Sequence, residues 1–246
     1  MTSFKNRIKK TSSEKSPLIL ANDYDSNINN IESKTLKNIK MLSTYLCAIK
    51  FNFHLLLPLG QKQISKINKI AHESNLQTIA DIKLNDIGNT NNVTAETLWN
   101  LGFDAVIVNP MMGPGNLEKM ITQAHKNENG VISLCHMSSP EAQLTYELQV
   151  QLKSKKTILY HLFLEWATSL GADGIIVGAT FPEIVKFCKK KSKGKLDIYS
   201  PGIGTQGGDI QKTIQSGSDY LIVGRTILNS SNPKETTKLL FDLSKN

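Results

Sequence analysis

Eight short, nearly uninterrupted apolar runs, spread along the whole chain, constrain its fold more than any other feature. They are "LILA" at 18–21, "LCAIKF" at 46–51, "TIAD" at 78–81, "AVIV" at 105–108, "VISLC" at 131–135, "GIIVG" at 174–178, "LDIYS" at 196–200 and "YLIVG" at 220–224. Each is short, rich in β-branched residues and without the polar alternation of a strand that has one wet face. Strands of this kind are buried on both sides, which calls for a parallel sheet covered by helices. Helical periodicity stands between the runs. Ile64, Ile67, Ile70 and Ala71 mark one face, Leu117, Met120, Ile121 and Ala124 a second, and Leu159, Leu162, Phe163, Trp166 and Leu170 a third. Asn232 before Pro233 marks the start of the last helix. Strands and helices alternating eight times predict an α/β fold, the (β/α)8 TIM barrel, as a single domain over residues 17–246. The runner-up is an open doubly wound sheet. No GxGxxG follows the first strand, and 246 residues match the roughly 250 of such a barrel.

Residues 1–16 read as a flexible Lys-rich tail. They are not a secretory signal, because no apolar stretch follows their basic residues. No run approaches the ~20 residues of a membrane span. Cys47, Cys135 and Cys188 lie far apart without metal-ligand spacing, so no zinc site is expected and a reducing cytoplasm fits. The formal net charge is +8, with lysines gathered in "KFCKKKSKGK" at 186–195. No aromatic residues interleave there as a nucleic-acid platform requires, so the charge reads as solvated helix faces. The segment 139–170 is longer than a normal strand-to-helix connection. It is expected to hold a flexible loop and a long helix, and an active-site lid is one reading.

In such barrels the chemistry sits at the C-terminal ends of the strands. Asp23 follows the first run, Lys50 closes the second, Asp81 closes the third and Lys83 lies two residues on. Ser138 lies past the fifth run, "PGIGTQGGD" follows the seventh, and Gly224 and Arg225 end the eighth. The late loops suit a phosphate. Their glycines let backbone N–H groups approach an oxyanion, Arg225 offers a forked cation, and Gln206 adds a neutral donor. Asp81 and Lys83 point the same way on an extended backbone, and Lys50 reaches them from the neighbouring strand. Flanking carboxylates favour the ammonium form of each lysine. A charged lysine is an acid that can protonate a carbanion as it forms, while a fixed carboxylate beside it repels an anionic substrate group. That is equipment for proton transfer at carbon, with or without loss of CO2. Spacing alone does not place Asp86.

The segment "DIKLNDIGNT" at 81–90 resembles the DxKxxD signature of the orotidine 5'-phosphate decarboxylases. "IKFN" at 49–52 is similar to that family's second-strand lysine segment and "MSSP" at 137–140 to its pyrimidine-contacting segment. "SPGIGTQGGD" at 200–209 and "VGRTI" at 223–227 are similar to its two phosphate segments, in the same order. The resemblance runs from about Leu18 to the last helix. It implies a barrel homodimer that converts orotidine 5'-monophosphate to uridine 5'-monophosphate and CO2, the last step of de novo pyrimidine synthesis, with no cofactor or metal. By the same resemblance Lys83 protonates C6 of the pyrimidine and Asp81 sits against the substrate carboxylate. Lys50 completes the charged array and, with Asp23, contacts the ribose. Asp86, Ile87 and Thr90 reach into the partner subunit's site, Thr90 near a ribose hydroxyl. Ser138 reads the base edge. Gln206, Gly224 and Arg225 hold the phosphate, and the loop with Pro201, Gly202 and Gly207 closes over it. Gly88 departs from the proline of many family members.

Two other readings compete. A Mg2+-dependent 3-hexulose-6-phosphate synthase or keto-gulonate phosphate decarboxylase belongs to the same superfamily, but carries an acidic metal ligand where this chain has Lys50. A non-catalytic nucleotide-binding barrel would keep the phosphate loops, while drift would remove the charged array first.

Overall fold

A computed structural model describes residues 2–24, 29–152 and 155–245. The apolar runs become strands β1 (Leu18–Ala21), β2 (Ala48–Asn52), β3 (Gln77–Leu84), β4 (Ala105–Val108) and β5 (Gly130–His136). Strands β6 (Gln149–Leu152) and β7 (Lys155–Ile158) form a separate antiparallel hairpin. The series resumes with β8 (Gly174–Val177), β9 (Asp197–Pro201) and β10 (Tyr220–Val223). The eight parallel strands close in the order β1-β2-β3-β4-β5-β8-β9-β10, with β10 paired back to β1. This is the (β/α)8 barrel that the run count predicts. Strands β1, β4, β5, β8 and β10 are buried along their whole length, as double-sided burial demands.

Helices pack outside by the stripes read from the sequence. Helix Gln61–Glu73 buries Ile64, Ile67 and Ala71, and helix Pro114–Lys126 buries Leu117, Met120, Ile121 and Ala124. Helix Pro233–Ser244 starts where Asn232 Oδ1 accepts the N–H of Glu235 at 3.2 Å. Among the described residues, no helix is long and apolar enough to cross a membrane.

The flexible tail expected at 1–16 needs correction. Phe4–Glu14 is a helix, capped by Ser3, with Phe4, Ile8 and Thr11 buried. Those positions, four and three residues apart, make one apolar stripe on an otherwise polar helix. The stripe seats under the barrel. The Phe4 ring occupies the space above Gly130, where a Cβ would fall 2.1 Å from it. Arg7 donates to Asp104 Oδ1 at 2.9 Å and to Gln77 Oε1 at 3.0 Å. These partners begin β3, precede β4 and open β5, so the helix closes the N-terminal end of the barrel, opposite the rim at the strands' C-terminal ends. Residue 1 lies outside the described residues.

The long segment after β5 is also more structured than a flexible loop. A turn of helix (Ala142–Thr145) leads into the β6–β7 hairpin and then helix Leu159–Leu170. His136, fully buried, pins it. Its Nε2 lies 3.3 Å from Glu147 Oε1, and its ring packs edge-on against Tyr160 and Phe181. Residues 153 and 154 of the expected loop lie outside the described residues.

Strand β3 runs past Asp81 to Leu84, and its pairing with β4 slips between those two residues. Lys83 sits at that bulge with φ +45°. A bulge re-aims side chains near a barrel rim. The even, extended spacing assumed from the sequence is therefore replaced here by a kink.

Candidate active site

The strands deliver their charged residues to a cavity of about 480 Å³ at their C-terminal ends. At its floor, four charges alternate. Lys50, from β2, has its Nζ 3.6 Å from Asp23 Oδ2 and 2.9 Å from Asp81 Oδ2. Asp81 turns its other oxygen to Lys83 Nζ at 2.8 Å. Lys50 also donates to Asn52 Oδ1. The order Asp23–Lys50–Asp81–Lys83 is thus continuous, with each inner charge between two of opposite sign.

Burial sets the roles. Burial by itself pulls the Lys50 ammonium down, but the Asp81 and Asp23 carboxylates outweigh it and hold its pKa above the ordinary lysine value. Burial likewise pushes the Asp81 carboxyl up, and Lys50 and Lys83 outweigh that and hold it below the usual carboxylate range. Both inner groups stay ionised at neutral pH. The side chain of Lys50 is 4% exposed and that of Lys83 is 38% exposed. Of the two ammoniums, Lys83 is the one with open access to a substrate and to solvent. Asp23 Oδ1 is buried with no hydrogen-bond partner among the described residues, which leaves a carboxylate acceptor for a ligand hydroxyl.

The opposite wall is built from the loop after β9 and the turn after β10. Pro201, Gly202 and Gln206 line the cavity with Gly224 and Arg225. Ser138 Oγ donates to Gln206 Oε1 at 2.8 Å, joining the segment after β5 to the loop after β9. Gly207 is not among the lining residues. It turns the loop at φ +93°, its N–H donating to Gly204 O at 2.7 Å. The cavity therefore has a charged floor and a glycine-rich, arginine-bearing wall.

Asp86, Ile87 and Thr90 do not line this cavity. They are exposed beyond β3, Ile87 at 71%. Asp86 Oδ1 accepts the N–H of Ile87 at 2.7 Å, and Asp86 N–H donates to Asn91 Oδ1 at 3.0 Å. Gly88 holds φ +47°, which the proline ring, fixed near −65°, cannot adopt. Exposed apolar side chains follow β3 and its two neighbours. Phe53, Leu57, Val93 and Met111, each more than half exposed, come from the segments after β2, β3 and β4, which are neighbours in the barrel.

Sequence reading missed several lining residues: Tyr24, Asn52, His54, Thr205 and Thr226. Asn52 carried a signal, since it lies two residues after Lys50 on one strand and so shares its side. Tyr24 and His54 carried none. They meet because His54 Nε2 reaches Tyr24 O at 3.0 Å, while Asn38 holds the Tyr24 hydroxyl from below. Asn38 is itself bonded to the fully buried Asn22, at 3.0 Å, and Asn22 to Thr35 at 2.8 Å.

Known proteins resemble this chain over most of its length. Positions 16–240 match the model of the orotidine 5'-phosphate decarboxylase / HUMPS family. The chain is 35% identical over 212 residues to the orotidine 5'-phosphate decarboxylase of Pyrococcus abyssi, covering 86% of this chain and 93% of that one. It is 33% identical over 230 residues to that of Thermococcus kodakarensis, covering 93% and 97%. Among solved structures it resembles the orotidine 5'-monophosphate decarboxylase of Methanocaldococcus jannaschii complexed with the inhibitor BMP. There the TM-score is 0.78 at 28% identity, over 93% of this chain and 98% of that one.

Proposed function

The chain belongs to the orotidine 5'-phosphate decarboxylase / HUMPS family, and on that premise we infer that it converts orotidine 5'-monophosphate to uridine 5'-monophosphate and CO2 in pyrimidine biosynthesis. The observation that carries this reading is the alternating array, with Lys50 buried between two carboxylates and Lys83 at the open end.

The array suggests how the reaction runs. The phosphate is held by Gln206, Gly224, Arg225 and the backbone of the loop with Pro201, Gly202 and Gly207. The base edge meets Ser138, and a ribose hydroxyl meets the open Asp23 Oδ1. The carboxylate at C6 then lies against Asp81. As the bond from C6 to the carboxylate carbon breaks, its electron pair stays on C6 and CO2 leaves. Lys83 gives its proton to that carbon, becomes a neutral amine, and recovers a proton from solvent. The main contribution is electrostatic: a fixed ammonium beside a developing carbanion, in place before reaction and needing no reorganisation. Asp81 keeps that ammonium aimed. Its repulsion of the substrate carboxylate adds a smaller effect, offset by phosphate binding at the far wall.

The sugar-phosphate reading is not favoured. A divalent cation requires oxygen ligands, and the ammonium of Lys50 lies between the two carboxylates, Asp23 and Asp81, that would supply them. We also propose a homodimer in which Asp86, Ile87 and Thr90 serve the neighbouring site. Their exposure outside their own cavity, and the exposed Phe53, Leu57, Val93 and Met111 on the segments after β2, β3 and β4, support it.

The test is the loss of orotidine 5'-monophosphate absorbance with purified protein and excess EDTA. Turnover undiminished by EDTA is expected. Absence of turnover, or its abolition by EDTA, overturns the reading.

A further inference from the structure

Helix Ile31–Leu42 covers the barrel with Thr35, Asn38, Ile39 and Leu42, all buried. These positions run i, i+3, i+4 and i+7, the stripe that a covering helix turns to its core. An asparagine in that stripe loses its water and must find other partners. Asn38 finds two. Its Nδ2 donates to Asn22 Oδ1 at 3.0 Å and to the Tyr24 hydroxyl. Those two residues flank Asp23 in the chain.

Asp23 has little of its own to hold it. Its Oδ2 lies 3.6 Å from Lys50 Nζ, longer than a hydrogen bond, and its Oδ1 is buried with no partner among the described residues. The neighbours are tied down instead. Asn22 N–H donates to Lys50 O at 2.9 Å, and Asn22 Nδ2 donates to Thr35 Oγ1 at 2.8 Å. Tyr24 O lies 3.0 Å from His54 Nε2. A carbonyl only accepts, so that nitrogen of His54 carries the hydrogen. The chain on either side of Asp23 is thus fastened to β2, to the turn after it and to the covering helix. Asn38 bonds to both flanking side chains at once. For stability alone an apolar contact would serve as well, so packing gives no reason for an amide at this position.

We propose that Asn38 is a positioning residue for Asp23. Its amide holds Asn22 and Tyr24 against each other, so that the carboxylate between them turns one oxygen to Lys50 and leaves the other open. The proposal rests on reading that open oxygen as the acceptor for a ribose hydroxyl. Asn38 does not line the cavity. What it contributes to nucleotide binding therefore passes through Asp23, and it takes no part in the proton transfer.

The test is a double-mutant cycle of Asn38→Leu with Asp23→Ala, read as the Kd of uridine 5'-monophosphate by calorimetry. Leucine keeps the branching of asparagine and removes its amide. With Asp23 present, Asn38→Leu should weaken binding about tenfold, and in the Asp23→Ala background by less than about twofold. Tyr24→Phe removes one of the two bonds and serves as the second variant if leucine impairs folding. Its weakening should be smaller and should likewise vanish without Asp23. A readout without ligand accompanies the cycle. The carboxyl carbon resonance of Asp23, identified by its absence from Asp23→Ala, should move in Asn38→Leu and in Tyr24→Phe. That of Asp104, at the far end of the barrel, should stay. Equal weakening with and without Asp23 would mean that Asn38 acts through the fold or through the Tyr24 ring, and overturns the proposal. So does unchanged affinity with Asp23 present, or an unmoved Asp23 resonance. Failure of the wild-type protein to bind uridine 5'-monophosphate defeats the nucleotide reading instead, and the resonance still decides the role of Asn38.

Discussion

Replacing Lys50 by methionine removes the centre of the charged array while keeping much of its volume. The ammonium lies 2.9 Å from Asp81 and 3.6 Å from Asp23, with its side chain 4% exposed. At an effective dielectric of about 20, those attractions amount to about 6 and about 5 kcal/mol. The desolvation of the ammonium offsets several kcal/mol of this, and the carboxylates left behind stay buried. Removing one member of such a pair costs about 3–5 kcal/mol. At about 2–4 °C per kcal/mol for a chain of this size, Tm should fall by about 6–20 °C at pH 7. A pH signature accompanies it. Burial raises the Asp81 carboxyl, and Lys50 with Lys83 more than reverses that, so its folded pKa is depressed. A depressed carboxylate contributes stability that is present above its unfolded value, about 3.9, and is lost as pH falls through the folded value. Without Lys50 the folded pKa rises, so the acid-side loss should begin at higher pH than in wild type. Thermal unfolding followed by circular dichroism from pH 7 downward measures both effects. A Lys50→Met protein as stable as wild type at pH 7, with its acid limb unmoved, would show that desolvation cancels the attraction and that the array is not held by its own charges.

Phe4→Ala should cost about 3–5 kcal/mol, because the ring is fully buried above Gly130, and activity per folded molecule should be kept since the helix lies at the far end of the barrel. An unchanged Tm would return residues 1–16 to a loose tail. His72 donates to Asp104 at 2.8 Å, and that hydrogen bond raises its pKa. A raised histidine contributes stability that is full below its unfolded value, about 6.5, and is lost as pH rises through the folded value. The Tm deficit of His72→Ala should accordingly be larger at pH 6 than at pH 8.5, and equal deficits contradict the ion pair. Mixing Asp86→Ala with Lys83→Ala subunits should recover part of the activity, because one hybrid site is intact. No recovery after demonstrated subunit exchange counts against a shared site.

The barrel was legible because its strands are buried on both faces. Such burial writes eight apolar runs that no surface element would tolerate, and all eight became strands. The rim residues were legible for a related reason: charges at the ends of apolar runs have few structural excuses. What escaped the sequence depends on small local terms. Phe4, Ile8 and Thr11 form a helical stripe behind the Ser3 cap, but three positions among so many lysines did not outweigh the polar composition. The bulge at Lys83 has no residue signature, since lysine with φ +45° is held there by the β3–β4 register and not by its own preference. The hairpin after β5 depends on His136, which closes an apolar run and gives no sign in one dimension that its ring will meet Glu147, Tyr160 and Phe181. Asn38 was invisible for the same reason. Its partners Asn22 and Tyr24 lie sixteen and fourteen residues back in the chain.

In the proposed reaction Lys83 delivers the proton to C6 while the rest of the array holds it in place. The most direct measurement is single-turnover decarboxylation of orotidine 5'-monophosphate by Lys83→Ala, with uridine 5'-monophosphate affinity measured on the same sample. Decarboxylation should fall by at least about a thousandfold with the nucleotide still bound. A variant that binds the nucleotide and turns it over at a rate near wild type would contradict it.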